Sequence, residues 1–303
     1  MSKLGAPSPF LDRLRDLMAH KGLSLERLAT LLEVAEAGGI SAAAPDNSNQ
    51  QSLMSRQLSE LEQFFGLQLT VRTGRRLQLT EDGLSLAQHA RWLFQGLADL
   101  RDKGRESSHS PLVFGAGDTI LQFLVIPALT RLGSEHRFIL KTLANEQIER
   151  QLIDGSLQLG VLRGQPTSDR LVARRVGRWE WALAVPTALT RPGDTAESVL
   201  LRCPLALQSS EPQFVADVLD DLGPSPLALR CDTFAQALQA VRSGKYVSVL
   251  PRVMLRDLPE ITMFPTLESR GIDLYLAFPP QGLLARPTLA SAIDAIDAAF
   301  RDT

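Results

Sequence analysis

The fold is decided between Gly38 and Gly83, in GGISAAAPDNSNQQSLMSRQLSELEQFFGLQLTVRTGRRLQLTEDG. ISAAA starts a short helix, and Pro45-Asp46-Asn47 cuts it off, because proline lacks an amide hydrogen and crowds the preceding turn. From Gln50 the apolar residues Leu53, Met54, Leu58, Leu61 and Phe65 form a helical stripe that stops at Gly66. LQLTV and RLQLT then alternate apolar and polar residues around Thr73-Gly74, which predicts a small hairpin. Upstream, Ser24 stands where a helix cap belongs, and Leu25, Leu28, Leu31, Leu32 and Ala35 share one face of the helix it starts. Helix, turn and helix followed by a hairpin make a winged helix-turn-helix.

A recognition helix puts its N-terminal side chains into the major groove. Those side chains are Asn49, Gln50, Gln51, Ser52, Ser55 and Arg56. Amides pair bidentately with adenine and arginine with guanine, while hydroxyls suit phosphates. Arg72, Arg75 and Arg76 on the hairpin are placed for the DNA backbone or the minor groove. Each feature alone has an ordinary origin in a solvated polar face or a surface arginine cluster. The order of the elements is what points to nucleic acid.

The same stretch resembles the DNA-binding domain of LysR-type transcriptional regulators. Ala43-Ala44, the step Ser55-Arg56-Gln57-Leu58, Leu61-Glu62 and then Phe65-Gly66 carry the resemblance, with the arginines of the wing and Leu79-Thr80-Glu81-Asp82-Gly83. Two positions depart from the family pattern. Pro45 to Asn49 replace the end of a longer second helix, and Leu69-Thr70 stands where the family usually has Leu-Phe. The resemblance implies double-stranded DNA as partner, a small-molecule effector held between two lobes, and dimers assembling into tetramers. It implies no cofactor. The proline-broken turn leaves a second reading open, a ligand-sensing or protein-binding module with a degenerate DNA-binding head.

Outward from this core, residues 8–20 place Phe10, Leu11, Leu14, Leu17 and Met18 at helical spacing, an extra helix ahead of the family's usual start. Residues 1–80 are thus read as the DNA-binding domain. Residues 81–107 are read as a linker helix, in which Leu86, Ala90, Leu93, Leu97 and Leu100 follow the spacing of a seam between two helices. A helix packed on its own domain would show the same spacing.

After residue 111 strand-like and helical segments alternate, which predicts parallel sheets in two α/β lobes, and the family resemblance implies lobes like those of periplasmic binding proteins. The expected division is 111–165 with 282–303 for lobe I and 166–281 for lobe II. The fold class is α/β overall, with the winged head in front. Loops at the C-terminal ends of the strands line the natural cleft. The candidates there are Asp118, Thr119, Asn145, Arg163, Gln208, Ser209, Thr233 and Tyr246. Gly115-x-Gly117 follows a strand, but Ile120 occupies the third glycine position of a dinucleotide fingerprint, and Asp118 would repel phosphate.

Composition supports this reading. Of 303 residues, 44% are hydrophobic and 22% charged, which is globular rather than disordered. No apolar run reaches the ~20 residues of a membrane span, and the N-terminus lacks a secretory pattern, so a cytoplasmic location is expected. Formal charge is −2, and the first 107 residues balance 13 basic against 13 acidic side chains, so any DNA affinity must come from a local patch. Cys203 and Cys231 are too few for a disulfide framework or a zinc site and read as buried, inert thiols. Neither the hydrolase and metalloprotease motifs nor a metal-spaced histidine pair occurs, so no catalytic residue is expected.

Overall fold

The N-terminal helices form where their caps dictate. The protein is seen here in a computed structural model, described for residues 9–73, 76–102, 111–131, 137–209, 212–222, 227–266, 270–285 and 287–301. The chain divides into two units, residues 1–108 and 109–303. In the first unit α1 (Pro9–Ala19) precedes α2 (Leu25–Ala37). The Ser24 hydroxyl accepts from the Arg27 amide at 3.2 Å, and Gly38 ends α2 in the left-handed region at φ 75°. The next helix, α3 (Ile40–Ala43), is only four residues long, as the Pro45 break requires. Asp46 turns the chain at φ 58°, and Asn47 caps α4 (Ser48–Phe65) by accepting from the Gln50 amide at 3.0 Å. The wing, β1 (Thr70–Thr73) and β2 (Arg76–Leu79), is antiparallel, and α5 (Glu81–Asp102) follows it.

Leu28, Leu31, Val34, Met54, Leu58, Leu61 and Leu69 make the core of this unit. Fully burying one such side chain contributes about 1.5–3 kcal/mol. Two expectations change. Leu53 is 54% exposed, because a step of one residue turns it off the Met54-Leu58-Leu61 line, and Leu25 is equally exposed at the start of α2. The proposed seam also splits. Ala90 is buried and Leu86 half-buried against the core of their own domain, whereas Leu93, Leu97 and Leu100 are 46, 45 and 65% exposed.

In the second unit β3 (Leu112–Ala116) leads into α6 (Asp118–Ile120), which runs through a π-helical turn at Leu121–Val125 into α7 (Ile126–Thr130). Then come β4 (Phe138–Thr142), α8 (Asn145–Ile153), β5 (Leu159–Arg163), β6 (Val172–Trp179) and β7 (Trp181–Pro186). They are followed by α9 (Ala196–Arg202), β8 (Leu205–Gln208), α10 (Pro212–Leu222), β9 (Leu227–Cys231) and α11 (Phe234–Arg242). The chain ends through β10 (Ser248–Pro251), β11 (Ile261–Pro265), β12 (Ile272–Phe278), α12 (Pro280–Ala285) and α13 (Pro287–Arg301).

The first lobe is built on a sheet of order β4-β3-β5-β12-β6, with α13 returning to pack on β6 and α7. The second lobe holds β10-β7-β11 and the parallel pair β8-β9, joined by a bridge from Leu205 to Val247. Neither lobe is purely parallel: the first sheet is mixed, since β12 runs antiparallel to β5 and β6, and β10-β7-β11 is antiparallel throughout, beside the parallel pair β8-β9. The pairing also moves the lobe boundaries. Residues 172–179 and 272–278 belong to the first sheet, so the chain crosses between lobes at Glu180 and between Pro265 and Ile272, not at 165/166 and 281/282. Alternation of element types reveals strands but not which sheet each one joins. β6 is an outer strand with Arg174, Arg175 and Arg178 toward solvent, which hides its strand character.

Candidate functional site

The expected recognition helix, α4, is fixed from both sides. Thr30 Oγ1 donates to Gln57 Oε1 at 2.7 Å, tying α2 to α4. Glu60 accepts from Arg27 Nε at 2.6 Å and Arg56 Nε at 3.1 Å, and these two arginines hold its carboxyl below the usual range. Arg56 remains 79% exposed, so its terminal nitrogens project from a braced stem. Gln51 is turned back. Its Nε2 donates to the Ala44 carbonyl at 2.8 Å, closing the turn between α3 and α4. Ser52 Oγ donates to the Ser48 carbonyl at 2.8 Å, and Gln50 accepts weakly from Asn47 Nδ2 at 3.3 Å. Asn49, Gln50, Ser52, Ser55 and Arg56 are all exposed on α4, and Leu53 stands among them. The sequence reading counted Leu53 in the apolar stripe of this helix. An exposed leucine on such a face suits the methyl group of thymine.

One carboxylate oxygen anchors the wing. Glu62 Oε1 accepts from the Leu69 amide at 3.0 Å, the Thr70 amide at 2.9 Å and the Thr70 hydroxyl at 2.9 Å. This gives Thr70 its own reason to stand where a phenylalanine is usual. Gly83 at the start of α5 has no alternative, because a Cβ there would lie 2.2 Å from the Leu69 carbonyl oxygen. Arg72 is exposed on β1. Arg75 and the side chain of Arg76 lie outside the described residues.

In the second unit a cavity of about 160 Å³ gathers Asp118, Thr119, Arg163, Gln208 and Thr233. These come from four strand ends, those of β3, β5, β8 and β9, and both lobes contribute. Gly117, Ile120, Trp179, Asp232 and Phe234 complete the lining. The sequence reading missed Trp179 and Phe234 because both belong to strand or helix ends rather than to an obvious loop. Asp232 precedes the Thr233 cap and was legible by its neighbour.

The other three candidates do not line this cavity. Asn145 stands behind Arg163: its Nδ2 donates to the Arg163 carbonyl at 3.1 Å, and its Oδ1 accepts from the Arg163 amide at 2.9 Å. Ser209 is bonded through its amide to the Cys231 carbonyl at 2.8 Å. Tyr246 is half-exposed, with the Lys245 ammonium 6.0 Å from its ring centre.

Charge in the cavity leans negative, with Asp118 and Asp232 against Arg163. Asp118 is held by Gln122 Nε2 at 3.0 and 2.9 Å, one turn along the helix, and not by Arg163. Thr233 spends its hydroxyl on the Gln236 amide at 3.2 Å as the cap of α11, whereas the Thr119 hydroxyl has no partner among the described residues. Trp179 is 3% exposed, and its indole nitrogen has no acceptor among the described residues. Trp181, Phe214 and Phe234 pack behind the cleft with ring centres 4.5 to 5.5 Å apart. Burial pushes the Cys231 thiol up, away from the reactive thiolate.

Two family descriptions match the chain. Residues 25–84 match the bacterial regulatory helix-turn-helix protein of the lysR family, and residues 105–301 match the LysR substrate binding domain. The chain is 28% identical over 261 residues to the SDS degradation transcriptional activation protein of a Pseudomonas species, covering 80% of this chain and 84% of that protein. It is 27% identical over 231 residues to the transcriptional regulator PecT of Dickeya dadantii, covering 73% and 69%. Among solved structures, ArgP from Mycobacterium tuberculosis shares the fold with a TM-score of 0.67 at 18% identity, covering 92% of this chain and 97% of that one. Full-length LysG from Corynebacterium glutamicum, with bound effector Arg, has a TM-score of 0.66 at 19% identity over 92% and 99%. With its helix-turn-helix head and its two-lobed domain both matched, the chain belongs to the LysR family of DNA-binding transcriptional regulators.

Proposed function

We propose that the effector of this regulator is a small polar metabolite bearing a protonated amine, bound in the 160 Å³ cavity between the lobes. The observation that carries this reading is the convergence of Asp118, Asp232, Trp179 and Phe234 around one space. Carboxylates and aromatic rings attract a cation, and Arg163 with the Thr119 hydroxyl suits an acceptor group at the other end of the ligand. Closing on such a ligand changes the angle between the lobes. The α4 face with Asn49, Gln50, Ser52, Leu53, Ser55 and Arg56 reads base edges, and Arg72, Arg75 and Arg76 hold the backbone. The exposed Leu93, Leu97 and Leu100 pair the chain as a homodimer, which assembles further into a tetramer.

A thermal-shift screen of amino acids, diamines, carboxylates and phosphorylated sugars tests the effector. An amine-bearing compound raises the melting temperature, and the rise disappears in Asp118→Asn and Thr119→Val. A stabilising compound with no amine, or one unaffected by both substitutions, overturns this assignment.

A further inference from the structure

Trp179 ends β6 opposite Ile272, lines the cleft and is buried. Its ring stands edge-on to Trp181, with centres 6.1 Å apart, and Trp181 packs in turn on Phe234 of the same cleft. The indole N–H therefore lies in apolar surroundings, and it has no acceptor among the described residues. A buried donor left unmet is costly, so such a group in a native fold calls for an explanation.

The chemistry of the lining supplies one. An indole nitrogen can only donate, and so can a guanidinium, whereas an ionised carboxylate can only accept. The cleft thus sets the donors of Arg163 and Trp179 beside the acceptors of Asp118 and Asp232. A diamine, protonated at both ends, has no lone pair for Trp179. A carboxylate without an amine has no donor for the two aspartates. A ligand that carries both groups meets both sets.

We propose that Trp179 is a specificity-determining residue of the cleft: its indole N–H donates to a carboxylate oxygen of the effector, which is an amino acid and not a simple amine or diamine. This rests on the amine-bearing effector proposed above and adds the group that reads its other end. Trp179 directly precedes Glu180, where the chain crosses between the lobes, so the carboxylate is taken at the crossing itself.

Three pairs of compounds test it in the full-length protein: lysine with 1,5-diaminopentane, arginine with agmatine, and phenylalanine with 2-phenylethylamine. Each amine is the amino acid without its carboxylate. In calorimetric titration at least one amino acid binds more tightly than its amine, by about tenfold or more. Trp179→Phe keeps an aromatic ring and removes the N–H. It weakens the amino acid by a similar factor and leaves the amine unchanged, whereas lost packing would weaken both. The indole 15N–1H signals of the three tryptophans give a second reading in the wild-type chain. The amino acid moves the Trp179 signal downfield and the amine does not, with Trp92→Phe and Trp181→Phe assigning that signal by elimination. Amines that bind as tightly as their amino acids overturn the proposal and leave the amine-bearing effector standing. If none of the six compounds binds, the proposal is overturned, and the wider screen above decides the amine reading separately. Wild-type affinity for the amino acid in Trp179→Phe overturns it as well. So does a Trp179 signal moved by an amino acid whose binding survives Asp118→Asn, since Trp179 also borders a neighbouring cavity.

Discussion

The side-chain amide of Asn145 brackets the backbone of Arg163, accepting from its N–H at 2.9 Å and donating to its C=O at 3.1 Å. Arg163 ends β5 opposite Leu274, and the bracket fixes its backbone where its side chain enters the lining of the cleft. Asn145→Ala should cost about 1–3 kcal/mol, the penalty of leaving part-buried backbone groups unmet. The urea midpoint measures this. Effector affinity should fall with it, although Asn145 does not line the cavity. An unchanged midpoint would show the bracket to be dispensable.

Gln51 should behave as a turn residue and not as a base reader. Its amide is engaged with the Ala44 carbonyl. Gln51→Ala should therefore weaken binding to all DNA sequences by a similar factor and lower thermal stability. Leu53→Ala should instead relax preference at one base pair, at a cost of ~1 kcal/mol or more. Selection from random DNA with each variant separates these outcomes. Arg72→Ala should weaken every sequence alike and reduce the salt slope by about one.

Asp placed at Leu93 and Leu97 should yield monomers in sedimentation while leaving the head folded, because both positions are exposed in the single chain. Burying two unpaired carboxylates in a helix seam is unfavourable. Ala90→Asp should unfold the head instead, since Ala90 lies in its core. A native oligomer in the double variant would remove these leucines from the interface.

Asp194 contributes stability that depends on pH. Arg202 donates to it through two nitrogens, and with the Arg191 amide this lowers the carboxyl from 3.8 to about 2. A group whose pKa falls on folding stabilises the fold above its unfolded value and loses that contribution as pH falls through its folded value. Wild type should therefore exceed Asp194→Asn in urea midpoint at neutral pH. The gap should narrow from about pH 4 down to about 2.

Much of this was legible in the sequence, for identifiable reasons. The head is written in local chemistry: Ser24 and Asn47 cap helices, Pro45 stops one, and Gly83 permits a close approach. Asp118, Thr119, Arg163, Gln208 and Thr233 were legible because strand-end loops of an α/β lobe converge. Trp179 was not, since its place depends on β6 pairing with β12, where it stands opposite Ile272, and pairing between strands so far apart in sequence leaves no local pattern. β6 was missed because three arginines on an outer strand look like a loop. The split of the linker stripe, with Ala90 inside and Leu97 outside, depends on how far the domain core extends along α5.

Glu62 couples α4 and the wing, the two parts of the head proposed above to meet DNA. One oxygen on the recognition helix receives three donors from the base of the wing. Helix and wing therefore travel as one rigid gauge, and the stretch of duplex spanned by a single head is set by chain geometry. Such a head cannot stretch to suit a longer operator. Any tuning of footprint must come from how many heads are brought together and how far apart they are set.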